Sequence, residues 1–239
     1  AIGEDGAPGN QWRTAADWPV PVKETAYYLQ GASSGAGGLS TDKPKGPRQT
    51  NYSSDPAHPA PIPGRAFPGA KDAREHERHP DVRTFTTEPL SAPVEWTGKV
   101  RAELFVSSTA PDADFIVRVT DVYPDGRSIL IIDQARRARF RETWDREVFM
   151  KKGKTYKFKI DLWSTSIIFN KGHRIAIHIS SSNSPRFDPN PNTGSPLRAD
   201  NLKQVATVWV RYDRTYHSRA LLPVVQINNG SVNSTSTQR

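Results

Sequence analysis

No cysteine occurs anywhere in the 239 residues. That excludes a disulfide framework, a thiolate zinc site and a cysteine nucleophile. It leaves the compartment open, because disulfide-free proteins work on both sides of a membrane. Long apolar runs are also missing: nothing approaches the ~18 residues a helix needs to cross a bilayer, so no membrane partner is expected. The amino terminus, AIGEDGAPGNQW, lacks the basic start and apolar middle of a secretory signal. It opens abruptly, with Gly3, Gly6 and Gly9 ahead of Trp12, which suggests a cut inside a longer protein. Acidic residues are in deficit, 25 Asp+Glu against 33 Lys+Arg, for a formal net charge of +8. Such an excess favours acidic partners in general and does not bear on the fold.

What is present is strand pattern. In Gly172 to Gly194, GHRIAIHISSSNSPRFDPNPNTG, the first half alternates. Ile175, Ile177 and Ile179 fall on one side, and Arg174, Ala176, His178 and Ser180 on the other, which predicts a strand with one buried face. Each isoleucine withdrawn from water contributes roughly 2 kcal/mol. The second half cannot extend that strand: Pro185, Pro189 and Pro191 lack the backbone donor, and Ser, Asn and Asp offer local side-chain bonds instead. A core strand therefore runs out into a proline-pinned loop ending at Gly194.

The same pattern recurs along the chain. Thr25 to Gln30 and Val82 to Thr87 are short strand candidates. Val100, Ala102, Leu104 and Val106 alternate with charged or larger residues, as do Phe115, Val117 and Val119. A turn at Tyr123 to Gly126 has the Pro and Asp-Gly chemistry for it. Ile129 to Ile132, Arg137 to Arg141, Tyr156 to Leu162, Val205 to Arg211 and Arg219 to Val225 come next. Asp72 to Arg78 suits one or two helical turns before Pro80. About eight to ten strands with turn signals between them and almost no helix predict an all-β fold, a two-sheet sandwich or jelly roll. Its bounds are read as 25–227. Residues 1–24 form a linker or edge segment, 31–80 a long Pro/Gly excursion with little secondary structure, and the polar tail 228–239 is expected to be disordered.

Several motifs invite chemistry, and each has a plainer reading. Gly31 to Gly35, GASSG, fits the serine-hydrolase elbow expression, which needs a following helix; AGGLSTDKPKGP is too rich in glycine and proline to form one. In Glu75 to His79, EHERH, the two imidazoles lie three apart rather than four, so they do not form the helical zinc pair, and a solvated charged turn fits better. Asp188, Asn190 and Asn192 place oxygen donors at alternate positions, as calcium loops do. However, the glycine comes one place late and Ala199 stands where the bidentate carboxylate belongs. Arg137, Arg139 and Arg141 share one face of their predicted strand and read as a solvated or docking row. Nucleic-acid binding would need stacking aromatics or a groove-entering element as well. His173 and His178 fall on opposite strand faces without a paired nucleophile. Among six tryptophans, Trp163 and Trp209 sit inside strand patterns, which favours core or interface over sugar stacking. The sequons at Asn51, Asn229 and Asn233 imply glycosylation only along a eukaryotic secretory route. The residues alone give no catalytic site, no metal and no cofactor.

The loop ending at Gly194 resembles a segment from the C-terminal domain of the X-Pro dipeptidyl-peptidase and cocaine-esterase-like (CocE/NonD) acyl hydrolases. Other stretches agree in order: GNQWRTAADWP, YSSDPAHPAP, HPDVRTFTTEPL, DADFIVRVTDVYPDGRS and RRARFRE, so that the likeness covers about residues 9–225. It implies a jelly roll with a galactose-binding-like fold. It also implies a partner, an upstream α/β-hydrolase domain that carries the serine, aspartate and histidine of the triad, none of which maps onto this chain. Ser184 stands where the family often has an aromatic. The expected role is therefore non-catalytic: packing on the hydrolase domain and shaping its substrate cleft. The docking candidates are Asn183, Pro185, Arg186, Phe187, Asp188 and Asn192, because rigid loops dock at low entropic cost. A carbohydrate-binding module that targets the enzyme to a glycan is the alternative, and homo-oligomerisation through the sandwich is a third reading.

Overall fold

Nearly all of the alternating segments become strands in the computed structural model, which describes residues 12, 14–31, 36–46, 48–65, 69–196 and 202–225. In chain order these are β1 (Lys23–Gln30), β2 (Gly37–Ser40), β3 (Gln49–Ser54), β4 (Arg83–Thr86), β5 (Val94–Ser108), β6 (Asp114–Val122), β7 (Ser128–Arg137), β8 (Tyr156–Phe169), β9 (Arg174–Ser180), β10 (Ala206–Arg211) and β11 (Arg219–Val224). A single helical turn, α1 (Arg74–Glu77), precedes β4, where the Asp72 to Arg78 pattern predicted it.

Hydrogen bonding joins the strands in the order β3-β10-β5-β11-β1-β2-β4-β9-β6-β7, with β8 on the other side of β5. All pairs are antiparallel except β2 with β4. The path folds over, so that β6 and β9 face β5 and β8 across a common core. Phe115 of β6 meets Phe158 of β8 with ring centroids 4.5 Å apart, although those strands share no ladder. Trp96 and Phe169 close one end of this core, and Phe85 packs edge-on against Tyr212 at another. Ile175, Ile177 and Ile179 are fully buried in it, together with Val117, Val119, Leu104, Val106 and Ile160. This is the two-layer all-β architecture the turn spacing predicts.

Three local expectations change. First, the Pro/Gly excursion at 31–80 contains β2 and β3. Glycine makes β2 feasible, since a Cβ at Gly37 would lie 2.1 Å from the Phe85 ring; only a bare backbone fits against that side chain. Second, Arg137 to Arg141 is not a strand with a solvated arginine row. Arg137 ends β7, and Ala138–Phe140 forms a 3₁₀ turn. Arg139 is fully buried with its Nε donating to Asp112 at 2.7 Å, and Arg137 grips both oxygens of Asp114 at 2.7 Å. Asp112, Asp114, Glu147 and the main-chain carbonyls of Ser195 and Ala138 are among the acceptors that take up the cations. Third, β9 is buried on both faces, because Ala176, His178 and Ser180 are covered as completely as the isoleucines. The cover is the segment running through α1, which lies across the outer face of β9 and β6.

The tail at 228–239 lies outside the described residues, as do Ser33, Ser34 and Gly35 of the GASSG stretch. The next element after that stretch is β2, a strand, where a nucleophile elbow would require a helix.

Candidate functional site

The loop after β9 is fastened at both ends and presented in the middle. At its start Asn183 is buried: its Nδ2 donates to Asp133 at 2.9 Å, and its Oδ1 accepts from Arg118 at 2.8 Å. Main-chain bonds from Ser184 to the Ala60 carbonyl and from Ile62 to the Ser184 carbonyl, 2.9 Å each, bind it to the excursion. At its far end Asn190 donates to Asp112 and Asp114 at 2.8 and 2.9 Å, and its own oxygen accepts the Asn192 N–H. Asn192, at φ 64, spends its amide on Ser54 and on the Gln204 carbonyl. The side-chain amides of Asn190 and Asn192 thus hold the loop to the domain.

Between these anchors Pro185 and Asp188 are exposed, and Arg186 and Phe187 are half-buried. Arg186 pairs with Asp133 while its guanidinium lies 5.0 Å from the Phe187 ring centroid. The Phe187 N–H returns to the Asn183 carbonyl at 3.1 Å, and Arg137 donates to the Asp188 carbonyl at 3.1 Å. Of the docking candidates, then, Asn183 and Asn192 face inward as fasteners, while Pro185, Arg186, Phe187 and Asp188 form the displayed tip.

Beneath the tip lies a buried polar cluster that alternation did not reveal. Arg118 of β6 is fully buried, with its Nε 3.5 Å from Asp133. Burial pushes its pKa down to about 10, which leaves it a cation at neutral pH. It also donates to His76 Nε2, and His76 in turn donates from Nδ1 to the Pro61 carbonyl at 2.7 Å. That pattern requires the neutral imidazole. Burial first, then the Arg118 charge, pushes His76 down to about 2. His178 lies 3.0 Å from Glu77 and is likewise pushed down by burial, against the opposing pull of that carboxylate. Asp81, bonded to Ser182 at 2.7 Å, is held up by burial. These charges fix the segment carrying α1 and the start of the loop to the same sheet face.

Beside the tip is a cleft of about 370 Å³ between β7 and β8, lined by Ile62, Pro63, Ile131, Leu162, Trp163 and Arg186 among others. Trp163 is 69% exposed, so of the two places expected of it, core or interface, the core is not the one it occupies. The cause is a bulge: Lys99 pairs with Ser164 but Arg101 with Asp161, so β8 has one residue too many opposite Val100. Trp163 takes φ 70, and its N–H is held by Asp161 Oδ1 at 2.9 Å. The signal was present in the sequence. Phe158, Ile160 and Leu162 are buried at even positions and Ile167 and Phe169 at odd ones, a change of parity that one inserted residue explains.

The X-Pro dipeptidyl-peptidase C-terminal non-catalytic domain matches residues 3–219. This chain belongs to that family. The C-terminal domain is 38% identical over 231 residues to cocaine esterase of Rhodococcus sp. (strain MB1 Bresler), covering 91% of this chain and 40% of that protein. In structure it resembles an aminopeptidase from a marine sediment Thaumarchaeota archaeon, with a TM-score of 0.83 and 28% identity over 92% of this chain and 39% of that one. It also resembles an α-amino acid ester hydrolase, with a TM-score of 0.75 and 28% identity over 84% of this chain and 36% of the other. The C-terminal domain thus spans about two fifths of the length of these relatives. The matching family is that of a C-terminal non-catalytic domain.

Proposed function

We propose that this C-terminal domain packs on an α/β-hydrolase domain of the same polypeptide and shapes its substrate cleft, in a serine hydrolase of X-Pro dipeptidyl-peptidase or acyl-esterase type. One observation carries the reading: the tip Pro185–Asp188 is held rigid from below by buried Asn183, Asn190 and Asn192 yet leaves Pro185 and Asp188 exposed and Phe187 half-exposed. A preorganised, partly apolar loop loses little entropy on docking. The relatives support it too, since each has more than half of its length outside the matched part.

The test is Arg186→Ala together with Phe187→Ala in the full-length enzyme. The expected result is a lower melting temperature for the docked assembly and a raised KM, with the C-terminal domain itself still folded, because Asp133 keeps Arg118 as its buried partner when Arg186 is removed. Unchanged melting and unchanged kinetics would count against the reading. The second reading, a glycan-binding module, is favoured by the exposure of Trp144 and Trp163. It predicts retention of the 239-residue chain on polysaccharide columns.

A further inference from the structure

Among the described residues, Trp163 is unlike every other large exposed apolar side chain, in that the backbone is distorted to display it. A bulky residue at φ 70 is uncommon, and glycine or asparagine would occupy that conformation more easily. The bulge moves the indole out of the core-facing row that Leu162 keeps, and sets it against the mouth of the cleft between β7 and β8. Local strain that nothing in the domain uses points to a use outside it.

The surroundings suit a protein partner. β7 ends the strand path and, among the described residues, β8 pairs with β5 alone; the segment 71–73 bonds only the start of β7, at Ser128 to Leu130, so beyond it this side of the sandwich carries no further strand. Leu130, Ile131 and Ile132 of β7 stay half-exposed or are only partly covered there, and Ile62 and Pro63 complete an apolar floor. Arg186, whose charge is met by Asp133, joins the cleft to the displayed tip, so both belong to one continuous surface. A large aromatic projecting beside an apolar pocket, with polar groups already paired at the rim, is the composition of an interface anchor.

We infer that Trp163 and this cleft are the central anchor by which the C-terminal domain engages the catalytic part of its own polypeptide. The inference rests on the packing proposed above and adds where its energy is concentrated. The occupant is an apolar segment of the catalytic part, because the relatives that share this domain carry more than half of their chain beyond it. This is also the side of the domain with uncovered apolar residues beside the displayed tip.

Radical footprinting of the full-length enzyme, read by mass spectrometry, tests this with Trp144 as internal reference. In the 239-residue chain Trp163 and Trp144 are 69% and 71% exposed and should oxidise at similar rates. In the full-length enzyme Trp163 should oxidise several-fold more slowly than Trp144. Equal rates there overturn the inference. Trp163→Gly supplies a second measure with opposite signs. It relieves the left-handed backbone, so the melting temperature of the 239-residue chain holds or rises, while docking in the full-length enzyme weakens. If the Arg186→Ala, Phe187→Ala pair loosens the enzyme but Trp163 remains as reactive as Trp144, the packing stands and the anchor is wrong. If neither variant nor footprint reports contact, the packing itself fails. Protection of Trp163 by added polysaccharide, with full reactivity in the glycan-free enzyme, also overturns the inference and makes the cleft a sugar platform.

Discussion

Arg118→Ala should destabilise the domain by about 3–5 kcal/mol, the usual cost of removing one partner from a buried ion pair. Arg118 is fully buried and serves three groups at once: the Asp133 carboxylate, the Asn183 side-chain oxygen and His76 Nε2. Alanine leaves Asp133 a buried anion whose remaining counter-charge is Arg186 at the surface. It also leaves His76 and Asn183 with unmet acceptors, each carrying its own desolvation cost. The loss reaches beyond the cavity, because His76 holds the segment around α1 and Asn183 holds the start of the loop. Urea denaturation of the 239-residue chain measures it, as a lower midpoint at unchanged slope. Arg118→Lys should recover part of the loss but not all, since an ammonium restores the charge without the planar fork. A lysine variant as stable as the parent would show that the fork is not what matters.

Acid should weaken the fold well above the range where its carboxylates protonate. His76 is held neutral in the folded state, with its pKa pushed down to about 2, whereas in the unfolded chain it titrates near its ordinary value of 6.5. Below that value the unfolded state binds a proton that the folded state refuses. The stabilisation is thus fully present above about pH 6.5 and is lost as pH falls, by about 1.4 kcal/mol per pH unit for one such histidine. The groups around it set the rest. His178 is shifted the same way by burial, with Glu77 pulling against it. Glu77, itself held down, adds a further loss as pH falls below the carboxylate range. Asp81 and Asp114 are held up by burial and act with the opposite sign: their contribution is present at low pH and disappears as pH rises past the usual carboxylate value. Between pH 6.5 and 4.5 the histidine effect should dominate. Denaturation midpoints across that window should show the decline, and His76→Gln should flatten it, because glutamine can bond to Arg118 without titrating. An unchanged slope in the glutamine variant would remove His76 from the account.

Alternation made β5, β6, β8 and β9 legible, because a half-buried strand repeats every two residues and no helix does. It could not show that β6 and β9 are buried on both sides. In DFIVRVTDV the positions of Ile116, Arg118 and Thr120 read as a solvent face. They become an interior face only because the segment around α1 crosses them, and that segment has no periodicity to announce it. The arginines at 137–141 misled for a related reason. Even spacing on a presumed strand predicted a solvated row, but Asp112, Asp114 and Glu147, distant or unremarkable in sequence, draw those guanidinium groups inward. The loop at 183–194 was legible as a rigid feature from its prolines. Which of its residues fasten and which are displayed depended on partners as remote as Ser54 and Arg118. Trp163 was legible only from a parity change across β8, which a residue-by-residue reading of strand propensity passes over.

The central claim is that this domain contributes surface and not bond-breaking chemistry. A fluorophosphonate probe, applied side by side to the 239-residue chain and to a full-length enzyme that carries it, tests that claim most directly. The account predicts covalent labelling of the full-length enzyme, at a serine outside this domain, and none of the chain alone. A labelled serine within these residues would contradict it.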